Sequence, residues 1–178
     1  MTVKSAPEFA LEIPTGDDKE RRVCQRCEFI DYQNPKIVAG SVVLKGEQIL
    51  LCKRDIEPRK GFWTLPAGFM ELGESVEEAA QREAQEEALA DIEIDHLLAV
   101  YSVPRIGQVQ VMFRARLLGG YGVGPESQEV KLVDWKDIPW SELAFPTVVW
   151  ALTHFAETRH QTTFAPFANP PGTDALTR

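Results

Sequence analysis

Glu83, Glu86 and Glu87 lie three and four residues apart in a stretch, 75–89, that otherwise has the composition of a helix. At about 100° per residue, Val76, Ala79, Ala80 and Ala90 make an apolar stripe, and Glu83 and Glu87 project into its middle. Glu86 sits at the edge of that stripe, while Glu77 and Glu78 fall on the far side with Gln81 and Gln85. A charge run is usually a solvated face, which accounts for Glu77 and Glu78. It does not account for the others. Acids at i, i+3 and i+4 repel one another, and a carboxylate turned inward without a partner is costly. A divalent cation would resolve both problems. Hard ions such as Mg²⁺ take oxygen ligands, keep several waters, and bind through carboxylates together with substrate phosphates. Such a site would neutralise charge on phosphate oxygens and activate a water.

The elements that must position these acids can be read on either side. Ser75 followed by Glu78 is a capping box, with Ala, Glu, Gln and Arg filling the helix interior. Upstream, the apolar, β-branched run 37–44 reads as a buried strand. Lys45-Gly46-Glu47 reads as a hairpin, and 48–54 returns as a second strand. A basic loop, 55–60, leads to a short strand at 62–65 that ends at Pro66. Strand-like segments follow at 92–103, 109–118 and 130–135, and a final helix at about 147–159 has Val148, Ala151, Leu152 and Phe155 on one face. The stretch 119–128, with its glycines and a proline, reads as a mobile loop, and the Pro- and Thr-rich tail after Gln161 as poorly ordered. Mixed strands with two helices predict an α/β sandwich.

The segment from Gly68 to Glu87 resembles the Nudix box: Gly68, five residues, Glu74, seven residues, Arg82-Glu83, two residues, Glu86-Glu87. Six fixed positions match at these spacings. The glycine that closes the box is Leu89 here, which bears on how the helix ends. The resemblance implies an α/β/α sandwich around a mixed sheet and a Nudix pyrophosphohydrolase acting on acid anhydrides. It implies Glu83, Glu86 and Glu87 as ligands to Mg²⁺ or Mn²⁺, with the Gly68 carbonyl adding one more. Arg82, paired with Glu74, would orient the cluster.

Further similarity runs through Tyr32–Lys36, Leu50–Arg54, Trp63–Phe69, Ile106–Val109 and Pro125–Glu129. These resemble a branch with an N-terminal zinc ribbon, some members of which split FAD or ADP-ribose. The array associated with NADH pyrophosphatases is absent, the comparable stretch being Tyr101-Ser102-Val103-Pro104. On this reading residues 1–35 are a degenerate ribbon-like segment, 36–160 the hydrolase domain and 161–178 a tail. Glu126 and Glu129, after the glycine-rich stretch, are candidates to meet the phosphates, one of them as a base for water. Arg54 and Tyr101 are further candidate substrate contacts. Trp63 reads as core, and Trp135, Trp140 and Trp150 as packing or a subunit contact.

A ribbon needs four zinc ligands, and Cys24 with Cys27 supplies one knuckle, while residues 1–22 contain no Cys or His. A zinc site within one chain is therefore not expected; a homodimer could pool two knuckles. Cys52, in an apolar strand, reads as a small buried residue.

The bulk composition bounds the partners. With 178 residues the chain suits one main domain. A net charge of -8 argues against holding nucleic acid by its phosphates. No apolar run reaches the length of a membrane span, and three cysteines point to a reducing cytoplasm rather than a disulfide framework. The substrate expected is a nucleoside diphosphate derivative, FAD or ADP-ribose, cut to AMP and a second monophosphate. The alternatives are a nucleoside triphosphate pyrophosphohydrolase and a Nudix-fold binding module without turnover.

Overall fold

The structure, a computed structural model, describes residues 7–173. The chain divides into two compact units, with the boundary between Asn34 and Pro35. The expectations for residues 1–6 and 174–178 lie outside the described residues.

The first unit is a three-stranded antiparallel sheet of β1 (Phe9–Glu12), β2 (Arg21–Cys24) and β3 (Ile30–Asp31), in that order. These strands are too short and too charged to announce themselves by alternation, and only Gly16-Asp17-Asp18 reads from its residue types as a turn. That turn is present. Asp17 N–H donates to the Pro14 carbonyl at 3.0 Å, and the Asp17 carboxylate takes Arg21 Nε at 2.9 Å.

In the second unit, a mixed sheet is ordered β10-β5-β4-β9-β8, with two short strands alongside. β4 (Lys36–Lys45) and β5 (Gln48–Arg54) are the expected hairpin. β6 (Trp63–Thr64) pairs with β5, and β7 (Ala67–Phe69) pairs with β4. β8 (Ile92–Val103) and β9 (Gln108–Leu117) form an antiparallel pair, and β9 runs parallel to β4. β10 (Ser127–Val133) completes the opposite end against β5.

Helix α1 (Val76–Ala88) covers one face and α2 (Pro146–Thr158) the other. The α1 side is built from small residues, with Ala80, Ala84 and Ala88 meeting Ala39 and Val43, all without exposed surface. Small side chains let the helix axis approach the sheet closely. The α2 side is bulkier, with Trp63, Tyr101, Trp150, Leu152 and Phe155 filling it. Alternation along β5 explains the division, since Leu50 and Cys52 point to α1 while Ile49 and Leu51 point to α2.

Two readings of the sequence need correction. The tail after Gln161 is not loose through its described part. Phe164 and Phe167 pack against the α2-side core, and Phe167 exchanges backbone hydrogen bonds with Leu98 and Val100 of β8, both 2.9 Å. Nor is the glycine-rich stretch detached. Gly122 N–H donates to the Ala88 carbonyl at 2.7 Å and Gly124 N–H to the Glu87 carbonyl at 3.1 Å. Glycine at these points permits backbone to meet backbone, which a reading of glycine as mobility overlooks.

Candidate active site

Helix α1 starts on its capping box. Ser75 Oγ accepts from Glu78 N–H at 3.2 Å, and Glu78 Oε2 accepts from Ser75 N–H at 2.7 Å. This fixes where the helix starts, while its alanine face, buried against the sheet, sets which acids turn inward. Glu83 and Glu87 are buried, 7% and 4% exposed, whereas the Glu86 side chain is 54% exposed. The helix ends with Leu89 in the left-handed region at φ 46°, the conformation a glycine would take there.

Arg82 organises the upper part of the cluster. Its Nε and Nη2 grip both oxygens of Glu74 at 3.0 and 2.8 Å, and Nη2 also donates to the Phe69 carbonyl at 2.9 Å. Nη1 is shared between Glu83 at 2.8 Å and Glu86 at 2.9 Å. These bonds hold the Glu74 carboxyl down at about 2. Glu83 goes the other way, because burial outweighs the arginine.

Glu87 has the most perturbed environment. Burial pushes its carboxyl up to about 8, against one hydrogen bond from Ala67 N–H at 3.1 Å. The charges of Glu83 and Glu126 push in the same direction, and that of Arg54 opposes them.

Gly68 pairs with Ala39 in the sheet, and any Cβ there would overlap the Glu83 carboxylate, which lies against its backbone. Donors of this kind, carboxylate and backbone oxygens with one carboxylate short of partners, fit a hard cation rather than a soft one. Among the described residues, no three His, Cys, Asp or Glu side chains stand as a ready-made metal group. Arg82 occupies Glu86 instead.

Of the candidate substrate contacts, Arg54 and Glu126 reach this neighbourhood. Arg54 is buried, donates Nε to the Pro58 carbonyl at 2.9 Å and lies over the Phe145 ring. Glu129 is engaged by a neighbour on its own strand instead. It pairs with Lys131 at 3.4 Å, and the Lys131 ammonium covers the Trp63 ring. Tyr101 is not at the site. It has no exposed surface and bonds His154 Nδ1 at 2.7 Å in the α2-side core, so it offers nothing to a ligand. An aromatic residue ending an apolar strand reads alike whether it meets a nucleotide or a helix. Trp63 and Trp150 are buried and Cys52 is 1% exposed, while Trp140 is 41% exposed and stands edge-on to Trp135. In the first unit Cys24 is buried and Cys27 exposed, both as free thiols. No helix among the described residues is long and apolar enough to cross a membrane.

The sequence reasoning missed the Ala67 amide, the Phe69 carbonyl and Gly124. Backbone groups leave no signal in residue type; Gly124 did leave one, as a glycine where close approach was needed.

Two family models match the chain, one described as the NUDIX domain over residues 34–156 and one as Nudix N-terminal over residues 6–33. A NUDIX hydrolase of known crystal structure from Nitrosomonas europaea is 43% identical with a TM-score of 0.86, covering 94% of this chain and 97% of that one. An ADP-ribose pyrophosphatase from Methanocaldococcus jannaschii is 36% identical over 119 residues, 64% of this chain and 69% of that protein. A putative 8-oxo-dGTP diphosphatase from Bacillus subtilis is 35% identical over 100 residues, 55% of this chain and just under two thirds of that protein, at 65%. The site therefore stands in an α/β/α fold of a known class of hydrolases, and the chain belongs to the Nudix family. It is a Nudix hydrolase whose main unit is preceded by the family's N-terminal segment.

Proposed function

We propose that this hydrolase splits the diphosphate bridge of a nucleoside diphosphate derivative, with ADP-ribose the first substrate to test and FAD the second. The observation that carries this is the pair of buried acids, Glu83 and Glu87, on one face of α1 over the bare backbone of Gly68. Such a pair is costly when both acids are ionised, and positive charge arriving with the ligand relieves that cost. The similarity to an ADP-ribose pyrophosphatase supports the choice of substrate.

In this reading Glu83, Glu86, Glu87 and the Gly68 carbonyl hold Mg²⁺ or Mn²⁺, with Glu86 leaving its bond to Arg82 to do so. Held there, such an ion would supply positive charge to the phosphate oxygens and make water a better nucleophile. Arg82, anchored to Glu74 and the Phe69 carbonyl, keeps the acids in register. The Glu126 carboxylate takes the proton of the attacking water, and Arg54 screens the negative charge gathered around Glu87. Water oxygen bonds to one phosphorus, the bridging P–O bond breaks, and two monophosphates leave.

Incubation of ADP-ribose with Mg²⁺ or Mn²⁺ should give AMP and ribose 5-phosphate, and FAD should give AMP and FMN. In ¹⁸O-labelled water the label should enter a phosphate and never a sugar carbon. A second reading, suggested by the Bacillus subtilis relative, is a nucleoside triphosphate substrate. Release of inorganic pyrophosphate from a triphosphate, with both dinucleotides untouched, would establish it in place of the first.

A further inference from the structure

The glycine-rich loop docks on the C-terminal end of α1 through two backbone hydrogen bonds, and two more hold the residues that follow. Gly122 and Gly124 donate to the carbonyls of Ala88 and Glu87. Ser127 N–H then donates back to the Gly124 carbonyl at 3.1 Å, and the Glu126 carbonyl accepts from Asp55 N–H at 2.8 Å. The segment bearing Glu126 is thus pinned on both sides, to the helix that carries the acids and to the end of β5. At Gly124 the fit has no slack: a Cβ there would overlap the carbonyl oxygen of Glu86 and the backbone of Glu87. The neighbouring Gly119 is different, since a Cβ there would meet nothing within 4 Å.

We propose that Gly124 is a positioning residue for hydrolysis, because its lack of a side chain lets the loop seat on α1 and so fixes where Glu126 stands relative to Glu83 and Glu87. The proposal rests on the role given above to Glu126. The same docking explains why α1 tolerates Leu89 at its end. The last carbonyls of the helix are met by the loop's amides, and the Leu89 side chain lies against Gly122.

The test compares Gly124→Ala with Gly119→Ala, with Glu126→Gln and with the Gly124→Ala/Glu126→Gln double variant. Displacing a catalytic group by about 1 Å can cost about 100-fold in rate. Gly124→Ala should therefore lower kcat strongly with KM little changed, and Gly119→Ala should leave both as they are. In the Glu126→Gln background, Gly124→Ala should cost nothing further, since the group it misplaces is already gone. An equal loss in both backgrounds would overturn the proposal. Should Gly124→Ala fail to fold, a glycine inserted between Gly124 and Pro125 keeps the docking amides of Gly122 and Gly124 and displaces Glu126 by lengthening the turn that Ser127 N–H closes on the Gly124 carbonyl. It should reproduce the loss of kcat, and wild-type kcat in the insertion variant would also overturn the proposal. Mn²⁺ affinity, read from the paramagnetic signal of the free ion, needs no substrate. It should weaken alike in Glu126→Gln and in the insertion variant, because the Glu126 charge acts on Glu83 and Glu87 and each variant removes or displaces it. Unchanged affinity in both refutes the positioning claim, whereas failure of the wild-type protein to cleave any diphosphate refutes only the proposed function.

Discussion

Glu87 is where the chemistry of single residues is most exposed to test. Its carboxyl, pushed up to about 8 from the usual 4.5, holds its proton more tightly folded than unfolded. The stability this contributes is fully present below about 4.5 and is lost as the pH rises through about 8. Each pH unit crossed in that window costs at most about 1.4 kcal/mol. Metal-free protein unfolded by urea should therefore weaken between pH 5 and pH 8 by up to a few kcal/mol, and Glu87→Gln should flatten the profile. The same substitution, or Glu86→Gln, should reduce turnover by orders of magnitude while leaving the fold intact. Near-normal turnover in both would remove the cation site from the account. The helical spacing made these acids legible before any coordinates, because an inward carboxylate is conspicuous in an alanine stripe. Arg54 and Glu126 were named beside the resemblance; Arg54 closes β5, whereas the nearness of Glu126 to Glu87 depends on a loop whose course no periodicity reveals.

At the scale of elements, α1 was readable from cap to end and the segment answering it was not. Ser75 and Glu78 mark the start by chemistry that any helix uses. The end is irregular: Leu89 takes a left-handed backbone that costs a side-chain-bearing residue roughly 1 kcal/mol. Leu89→Gly should accordingly raise stability by up to about 1 kcal/mol, measured by denaturant unfolding, with activity unchanged. A loss of stability instead would show that the Leu89 side chain against Gly122 contributes more than the backbone strain takes away. The loop opposite was misread because glycine has two uses. Conformational freedom and close approach draw on the same residue, and only the surroundings decide between them. The first unit was placed at 1–35 by resemblance and matches the family's N-terminal segment, but its strands escaped notice for another reason. Strands of two to four residues with Arg, Glu and Asp among them carry too few apolar positions to show a period.

For the whole molecule, an ion that binds the folded acids and not the unfolded chain must stabilise the fold by mass action. Millimolar Mn²⁺ or Mg²⁺ should raise Tm in proportion to the logarithm of its concentration, and EDTA should reverse the rise. A melting curve indifferent to both would count against the cation. The sandwich itself followed from alternating strands and two helices; the path of residues after Gln161 did not, because prolines and threonines conceal Phe164 and Phe167. That path has a consequence for how these molecules behave in company. β8 is the last strand of its sheet, and Phe167 occupies the backbone groups that a free edge would offer to another chain. Asn169 extends the cover by presenting both halves of an amide to Ser102, Oδ1 accepting from its N–H and Nδ2 donating to its carbonyl, each at 2.8 Å. A side chain here imitates one residue of an additional strand. Chains cut after Gln161 should then expose an unpaired edge and associate through it, seen as concentration-dependent growth in light scattering that the uncut chain does not show. On that outcome the last residues of the described chain would guard the molecule against aggregation, a duty separate from hydrolysis and performed at the opposite end of the sheet order from β10.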